Sequence, residues 1–181
     1  ANAQKKIIVD IEHTYEGSLE IKNPGGGTMY DLGWRTIQVV DSKGNTHDLM
    51  IPDEVDPQSL DPDQPVKVVF IERLGCKRTS FGIEKIHQEG EVIYDGEICE
   101  LHKMKMKKEA LPIDKNLTST LPPYTDAWVF YPNWNPFSIA GITEDCAYTH
   151  AYSYQCQKCK EAYDDYMEFQ KKHKKLDISK Y

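Results

Sequence analysis

This sequence has no long hydrophobic run, no excess of basic residues and no recognisable catalytic motif. No run of about eighteen apolar residues occurs, so no membrane-spanning helix is predicted. The 22 lysines and arginines are outnumbered by 29 aspartates and glutamates, which gives a net charge of −7. This acidic balance disfavours nonspecific nucleic-acid binding, which depends on basic side chains. The sequence also has no G-x-S-x-G motif, so a hydrolase ranks only third among the functions we consider.

A clear amphipathic helix is also missing from residues 1–95. Short β-branched or alternating segments, separated by turns and prolines, take its place and predict strands. The predicted strands cover residues 6–11, 19–21, 34–40, 46–51, 66–71, 81–86 and 91–94. Prolines at four positions between residues 52 and 65 predict an exposed connector that neither a helix nor a strand can cross. Many short strands without helices favour a small barrel or a sandwich.

The order of these strands resembles that of an OB-fold. It has a long first strand, a strand–turn–strand pair around Asp41-Ser-Lys-Gly44, a proline-rich crossover and a late pair ending at Ile86 and Tyr94. The resemblance covers residues 6–95, carries no residue-level motif and lacks the helix that OB-folds often place between strands three and four. It implies an OB-like β-barrel as a first domain, residues 1–95. An unrelated barrel of five to seven strands is the alternative.

Residues 96–181 form the second predicted domain. Strands are predicted at residues 106–113 and 147–154, and a long loop between them is rich in aromatic residues: Tyr124, Trp128, Phe130, Tyr131, Trp134 and Phe137. A helix is predicted from Lys158 to about Lys175, with Ala162, Tyr163, Tyr166 and Phe169 on one face. The whole chain is therefore predicted to be mainly β, with one C-terminal helix.

Two short motifs in this second domain predict a metal site. Cys99-Glu-Leu-His102 and Cys156-Gln-Lys-Cys159 each place two donors two residues apart, so that a tight turn can direct both to one ion. Three thiolates and one imidazole are a ligand set of structural zinc sites, and four protein ligands leave no position for a substrate. We therefore predict structural zinc bound by Cys99, His102, Cys156 and Cys159.

Two other interpretations of the same residues remain open. Cys156 and Cys159 would form a redox dithiol if they lay at a helix N-terminus in a βαβ setting, but a single predicted strand precedes them. Met104 and Met106 add thioethers that would suit copper(I). In a strand these methionines share a face with His102, which favours packing over the metal.

The remaining cysteines and the N-terminus bear on the cellular compartment. Cys76 and Cys146 are left either as one disulfide, outside a reducing cytosol, or as two buried thiols. The opening Ala1-Asn-Ala3 resembles the cleavage end of a secretory signal peptide and predicts a secreted or periplasmic protein. A cytoplasmic protein with an ordinary flexible terminus is the alternative.

The combination resembles a β-barrel that carries a zinc-ribbon-like metal module. Such a resemblance implies binding of nucleic acids or other proteins, and the acidic charge shifts the expected partner to a protein, a glycan or an envelope component. We predict a non-catalytic binding or interaction module, and the runner-up is a protein that handles thiols or soft metals such as copper. The aromatic loop supplies a candidate binding surface at Trp128, Tyr131 and Trp134, although packing is the default for such residues.

Overall fold

The computed structural model describes residues 4–23, 35–76, 78–113, 132–134 and 146–174. Over these residues the chain is mainly β and has one α-helix near its C-terminal end, which confirms the predicted fold class. Among the described residues, no helix combines the length and the apolar character needed to cross a membrane. The chain divides into two compact units: Ile8–Gly96, and Ala1–Ile7 with Glu97–Tyr181.

The unit Ile8–Gly96 contains two antiparallel sheets. Its strands are β1 (Val9–Ser18), β2 (Ile21–Lys22), β3 (Thr36–Val40), β4 (Thr46–Met50), β5 (Pro65–Leu74), β6 (Thr79–Gln88) and β7 (Glu91–Asp95). The strand order is β1-β5-β6-β7 in one sheet and β2-β3-β4 in the other. No hydrogen-bonded ladder among the described strands joins the two sheets into a closed barrel. The mainly-β prediction therefore holds, whereas the predicted closure is not seen.

The core of this unit follows from the alternation of apolar residues along its strands. In β5, Val66, Val68 and Phe70 are buried on one face, as the two-residue period of a strand requires. Glu72 continues the same face. The buried apolar residues form one cluster, with the members Ile37, Val39, Leu49, Ile51, Val55, Leu60, Val66, Val68, Phe70 and Ile86.

Two details of the predicted strands and connector are wrong. The first strand extends to Ser18 because β1 pairs with β5 along its full length, from Val9 opposite Leu74 to Ser18 opposite Pro65. The proline-rich connector is not simply exposed, because Val55 and Leu60 are buried in the core on either side of a short 3-10 helix, Pro57–Ser59. The side chains of Val55 and Leu60, which lie between the prolines, therefore hold this connector against the core.

The second unit consists of a two-stranded sheet and the helix. Antiparallel strands β8 (Lys107–Pro112) and β9 (His150–Gln155) are followed at once by α1 (Gln157–Lys174). Ile7 forms a β-bridge with His150, which joins the N-terminal segment to this unit. The helix packs Ala162, Tyr163 and Tyr166 as predicted. Phe169, predicted on the same face, is 54% exposed and stacks on His173 one turn later.

Candidate metal centre

The first motif, Cys99–His102, lies in a tight hairpin before β8. Three backbone hydrogen bonds close it: Met106 N to Glu97 O at 2.7 Å, Cys99 N to Met104 O at 2.9 Å, and Lys103 N to Cys99 O at 2.7 Å. Lys103 has a φ of +52°, the left-handed conformation that turns the chain back after His102. The hairpin places Cys99 Sγ 3.6 Å from His102 Nδ1.

The second motif lies at the start of the helix. Cys156 immediately precedes Gln157, where α1 begins, and Cys159 lies in the first helical turn. The N–H of Lys160 donates to the Cys156 carbonyl at 3.0 Å, which closes the turn that holds both thiols. A helix N-terminus carries partial positive charge, which suits the negative charge that both sulfurs carry when they bind a metal ion.

The two motifs bring their four side chains to one point. One ligand atom from each of Cys99, His102, Cys156 and Cys159 lies within 4.8 Å of all the others. His102 Nδ1 lies 3.5 Å from Cys156 Sγ and 3.4 Å from Cys159 Sγ. The sulfur atoms of Cys99 and Cys159 are 3.7 Å apart.

Four of the six distances among these donor atoms are close to those of a tetrahedral metal site. With Zn–S bonds of about 2.3 Å and a Zn–N bond of about 2.05 Å, a regular tetrahedron separates two sulfurs by about 3.8 Å, and a sulfur from the nitrogen by about 3.6 Å. The one measured sulfur–sulfur and three measured sulfur–nitrogen distances agree with these values to within about 0.2 Å. The cluster therefore has the size and the donor set to hold one metal ion.

Burial and hydrogen bonds set the protonation of the metal-free cluster. Burial raises the pKa of the Cys99 thiol, but hydrogen bonds from the His102 backbone and the Asn133 side chain outweigh it and lower the pKa to about 6. Burial raises the pKa of Cys159 to about 12. Near neutral pH the cluster therefore combines a thiolate at Cys99 with a thiol at Cys159.

Asn133 touches three of the cysteines, although it belongs to neither motif. Its side-chain amide donates to Cys99 Sγ at 3.3 Å, and its carbonyl accepts the Cys156 N–H at 2.9 Å. Its backbone N–H donates to the Cys159 sulfur. Hydrogen bonds of this kind orient metal ligands and tune their charge. No fixed spacing connects Asn133, a residue of the long loop, to either motif, so the sequence alone does not indicate its role.

Apolar side chains cover the cluster. Met106, 8% exposed, packs with the three cysteines, and Met104, Trp134 and Tyr154 pack around them. The two methionines therefore pack against the cluster, as the sequence indicated. Such a cover lowers the local dielectric and keeps water from the ligands.

Of the three residues of the predicted binding surface, the structure describes only Trp134. Its ring is half-buried, packs against the cysteine cluster and lies 5.4 Å from Lys160 Nζ in a cation–π contact. Its indole nitrogen is buried and has no hydrogen-bond partner in the structure. Trp128 and Tyr131 lie outside the described residues. Trp134 therefore belongs to the cover of the cluster.

Comparison with models of protein families, with curated proteins and with solved structures found no match. No family is therefore assigned to the chain, and the OB-fold and zinc-ribbon resemblances are not confirmed.

Proposed function

We propose that Cys99, His102, Cys156 and Cys159 bind one zinc ion in a closed tetrahedral site. The observation that carries this proposal is the convergence of all four donor atoms within 4.8 Å, with four of their six distances close to tetrahedral values. Four protein ligands leave no open position, so the ion is structural and joins the hairpin before β8 to the start of α1. Binding at such a site contributes on the order of ten kcal/mol to the local fold.

Two observations favour zinc over the alternatives. A redox dithiol needs an accessible nucleophilic thiol, whereas Cys156 and Cys159 are both 0% exposed. Copper(I) would use the thioether sulfurs, whereas a complete set of three thiolates and one imidazole already suits zinc. Met104 and Met106 then serve as cover.

The unit that holds this ion is proposed to be a binding or interaction module. Leu101 lies between the two ligands of the first motif and is 48% exposed, and Ile98 just before the motif is 37% exposed. A metal-fixed hairpin presents these apolar side chains at little entropic cost, which is what a docking residue requires. The net charge of −7 again favours a protein or an envelope component over nucleic acid.

Elemental analysis tests the metal proposal. Protein purified without added ions should contain one zinc per chain, and His102→Ala should lower the zinc content and the midpoint of thermal unfolding. His173→Ala is the matched control, because His173 is exposed on α1 and outside the cluster. No bound metal, or a stoichiometric amount of copper, would refute the zinc site.

Affinity capture from envelope extracts tests the interaction proposal. The Leu101→Asp variant should fail to bind proteins that the wild type captures, because the substitution places a charge on the apolar tip of the hairpin. Val92→Asp is the control, since Val92 is 57% exposed in the other unit. If Leu101→Asp and the wild type capture the same set, Leu101 is not a docking residue.

A further inference from the structure

A second polar cluster lies in the unit Ile8–Gly96, on residues that the sequence did not single out. His13 of β1 and Glu72 of β5 are buried, and the His13 ring stacks on Phe70 with 5.1 Å between centroids. His13 Nε2 lies 2.8 Å from Glu72 Oε2, and His13 Nδ1 lies 3.1 Å from Ser42 Oγ. Ser42 itself is exposed. One chain of hydrogen bonds thus connects a surface hydroxyl to a buried carboxylate.

The backbone of Ser42 fixes the direction of these hydrogen bonds. The Ser42 N–H donates to His13 Nδ1 at 3.3 Å, so Nδ1 carries a lone pair. In a neutral imidazole the proton is then on Nε2, where it points to Glu72. The Ser42 hydroxyl donates to Nδ1 as well. A hydroxyl that donates to an imidazole, which in turn donates to a carboxylate, is the arrangement of an activated serine nucleophile.

Asp41 holds the turn that presents Ser42. Its Oδ1 accepts the N–H groups of Lys43 at 2.8 Å and Asn45 at 2.9 Å, and its carbonyl accepts the Gly44 N–H at 3.0 Å. These bonds preorganise the serine. They also occupy the N–H groups of the turn, so none of these groups is left to stabilise an oxyanion. The turn itself therefore favours substrates that need little such stabilisation.

We propose that Ser42 is a catalytic nucleophile for carboxylic esters with good leaving groups. His13 is its general base, and Glu72 is the positioning residue that holds the imidazole. This activity goes beyond the proposed metal-stabilised module and does not depend on it, because no ligand of the metal cluster takes part.

The reaction proceeds through an acyl-serine. Ser42 Oγ bonds to the acyl carbon while the ester C–O bond breaks, and the hydroxyl proton passes to His13 Nδ1 and then to the leaving oxygen. Water next attacks the acyl carbon, gives its proton to the same nitrogen and releases the carboxylic acid. The proton then returns to Ser42 Oγ. The net reaction converts an ester and water to an acid and an alcohol.

Labelling with a fluorophosphonate tests the nucleophile. The serine oxygen displaces fluoride from phosphorus, so intact-mass measurement should show one adduct, and peptide mapping should place it on Ser42. Ser42→Ala should abolish the adduct. Ser59→Ala should leave it unchanged, because Ser59 is exposed but donates only to the Asp56 carbonyl. No adduct on the wild type, or an adduct that persists in Ser42→Ala, would overturn the proposal.

Hydrolysis of p-nitrophenyl acetate tests the His13–Glu72 pair. Glu72→Gln retains an oxygen that accepts from Nε2 but removes the charge, so hydrolysis and labelling should both slow by about tenfold or more while the protein still unfolds cooperatively. A purely structural Glu72 would change the unfolding midpoint and not the rate. Equal rates in folded Glu72→Gln and wild type would therefore exclude a positioning role for Glu72 and overturn the triad.

Discussion

The side-chain amide of Asn133 donates a hydrogen bond to the sulfur of Cys99, 34 residues earlier in the chain, over 3.3 Å. This bond helps to lower the pKa of Cys99 to about 6, together with the hydrogen bond from the His102 backbone and against the effect of burial. The backbone carbonyl of Asn133 accepts a hydrogen bond from the N–H of Cys156. A residue outside both cysteine motifs therefore connects them.

Asn133→Ala is expected to weaken zinc binding by about 10- to 100-fold, because the thiolate of Cys99 loses its amide donor while all four ligands remain. Competition with a chromophoric chelator measures this change. Asn45→Ala is a control, since Asn45 bonds to Asp41 in the other unit. An unchanged affinity in Asn133→Ala would show that the amide only packs beside the sulfur.

The thiols should become reactive only when the metal is removed. Cys99, Cys156 and Cys159 are free and fully buried, and zinc-bound thiolates react slowly. Alkylation followed by mass spectrometry should therefore show little change at these three cysteines in the native protein and modification of all three after chelation. Insulin reduction that requires Cys156 in the metal-loaded protein would instead establish a catalytic dithiol.

Zinc binding should release protons. Burial raises the pKa of Cys159 to about 12, so this thiol is protonated near neutral pH and must lose its proton to bind the ion. Cys99, with a pKa of about 6, is already deprotonated near neutral pH. Protons therefore compete with zinc for its sulfur only in acid. Affinity should therefore fall as the pH falls, more steeply below about pH 6. Calorimetry in buffers of different ionisation enthalpy measures the protons, and a pH-independent affinity would contradict the account.

Cys156→Ser should destabilise the unit with Glu97–Tyr181 and leave the unit Ile8–Gly96 folded, because the strands of the latter hold no ligand of the cluster. Hydrogen exchange followed by mass spectrometry resolves the two regions. Loss of protection in both regions together would contradict the predicted domains 1–95 and 96–181, which stay a prediction until this experiment is done.

Local patterns in the sequence predicted much of the fold. The helix predicted from Lys158 to about Lys175 corresponds to α1, Gln157–Lys174, because its aromatic residues recur at helical spacing. The end of β1 was missed, because two of its inward-facing positions are His13 and Gly17 and not apolar side chains, so the alternation that pairing with β5 imposes is weak in the sequence. The burial of Val55 and Leu60 was missed for a similar reason, since prolines around them indicated only a connector.

The residues of a candidate site could be predicted only where a short, fixed spacing in the sequence connects them. The two cysteine motifs are short, so their turns could be foreseen, and the structure brings their four donors together. Asn133 and the Ser42–His13–Glu72 chain depend on contacts between distant segments. One signal was present: Glu72 continues the apolar face of Val66, Val68 and Phe70, and a buried carboxylate requires a partner.

X-ray absorption at the zinc edge of the purified protein tests the central claim most directly, because it reports the atoms bound to the ion. The account predicts three sulfur neighbours at about 2.3 Å and one nitrogen neighbour at about 2.0 to 2.1 Å. Absence of zinc, or a first shell made only of nitrogen and oxygen, would contradict the proposed closed site of Cys99, His102, Cys156 and Cys159.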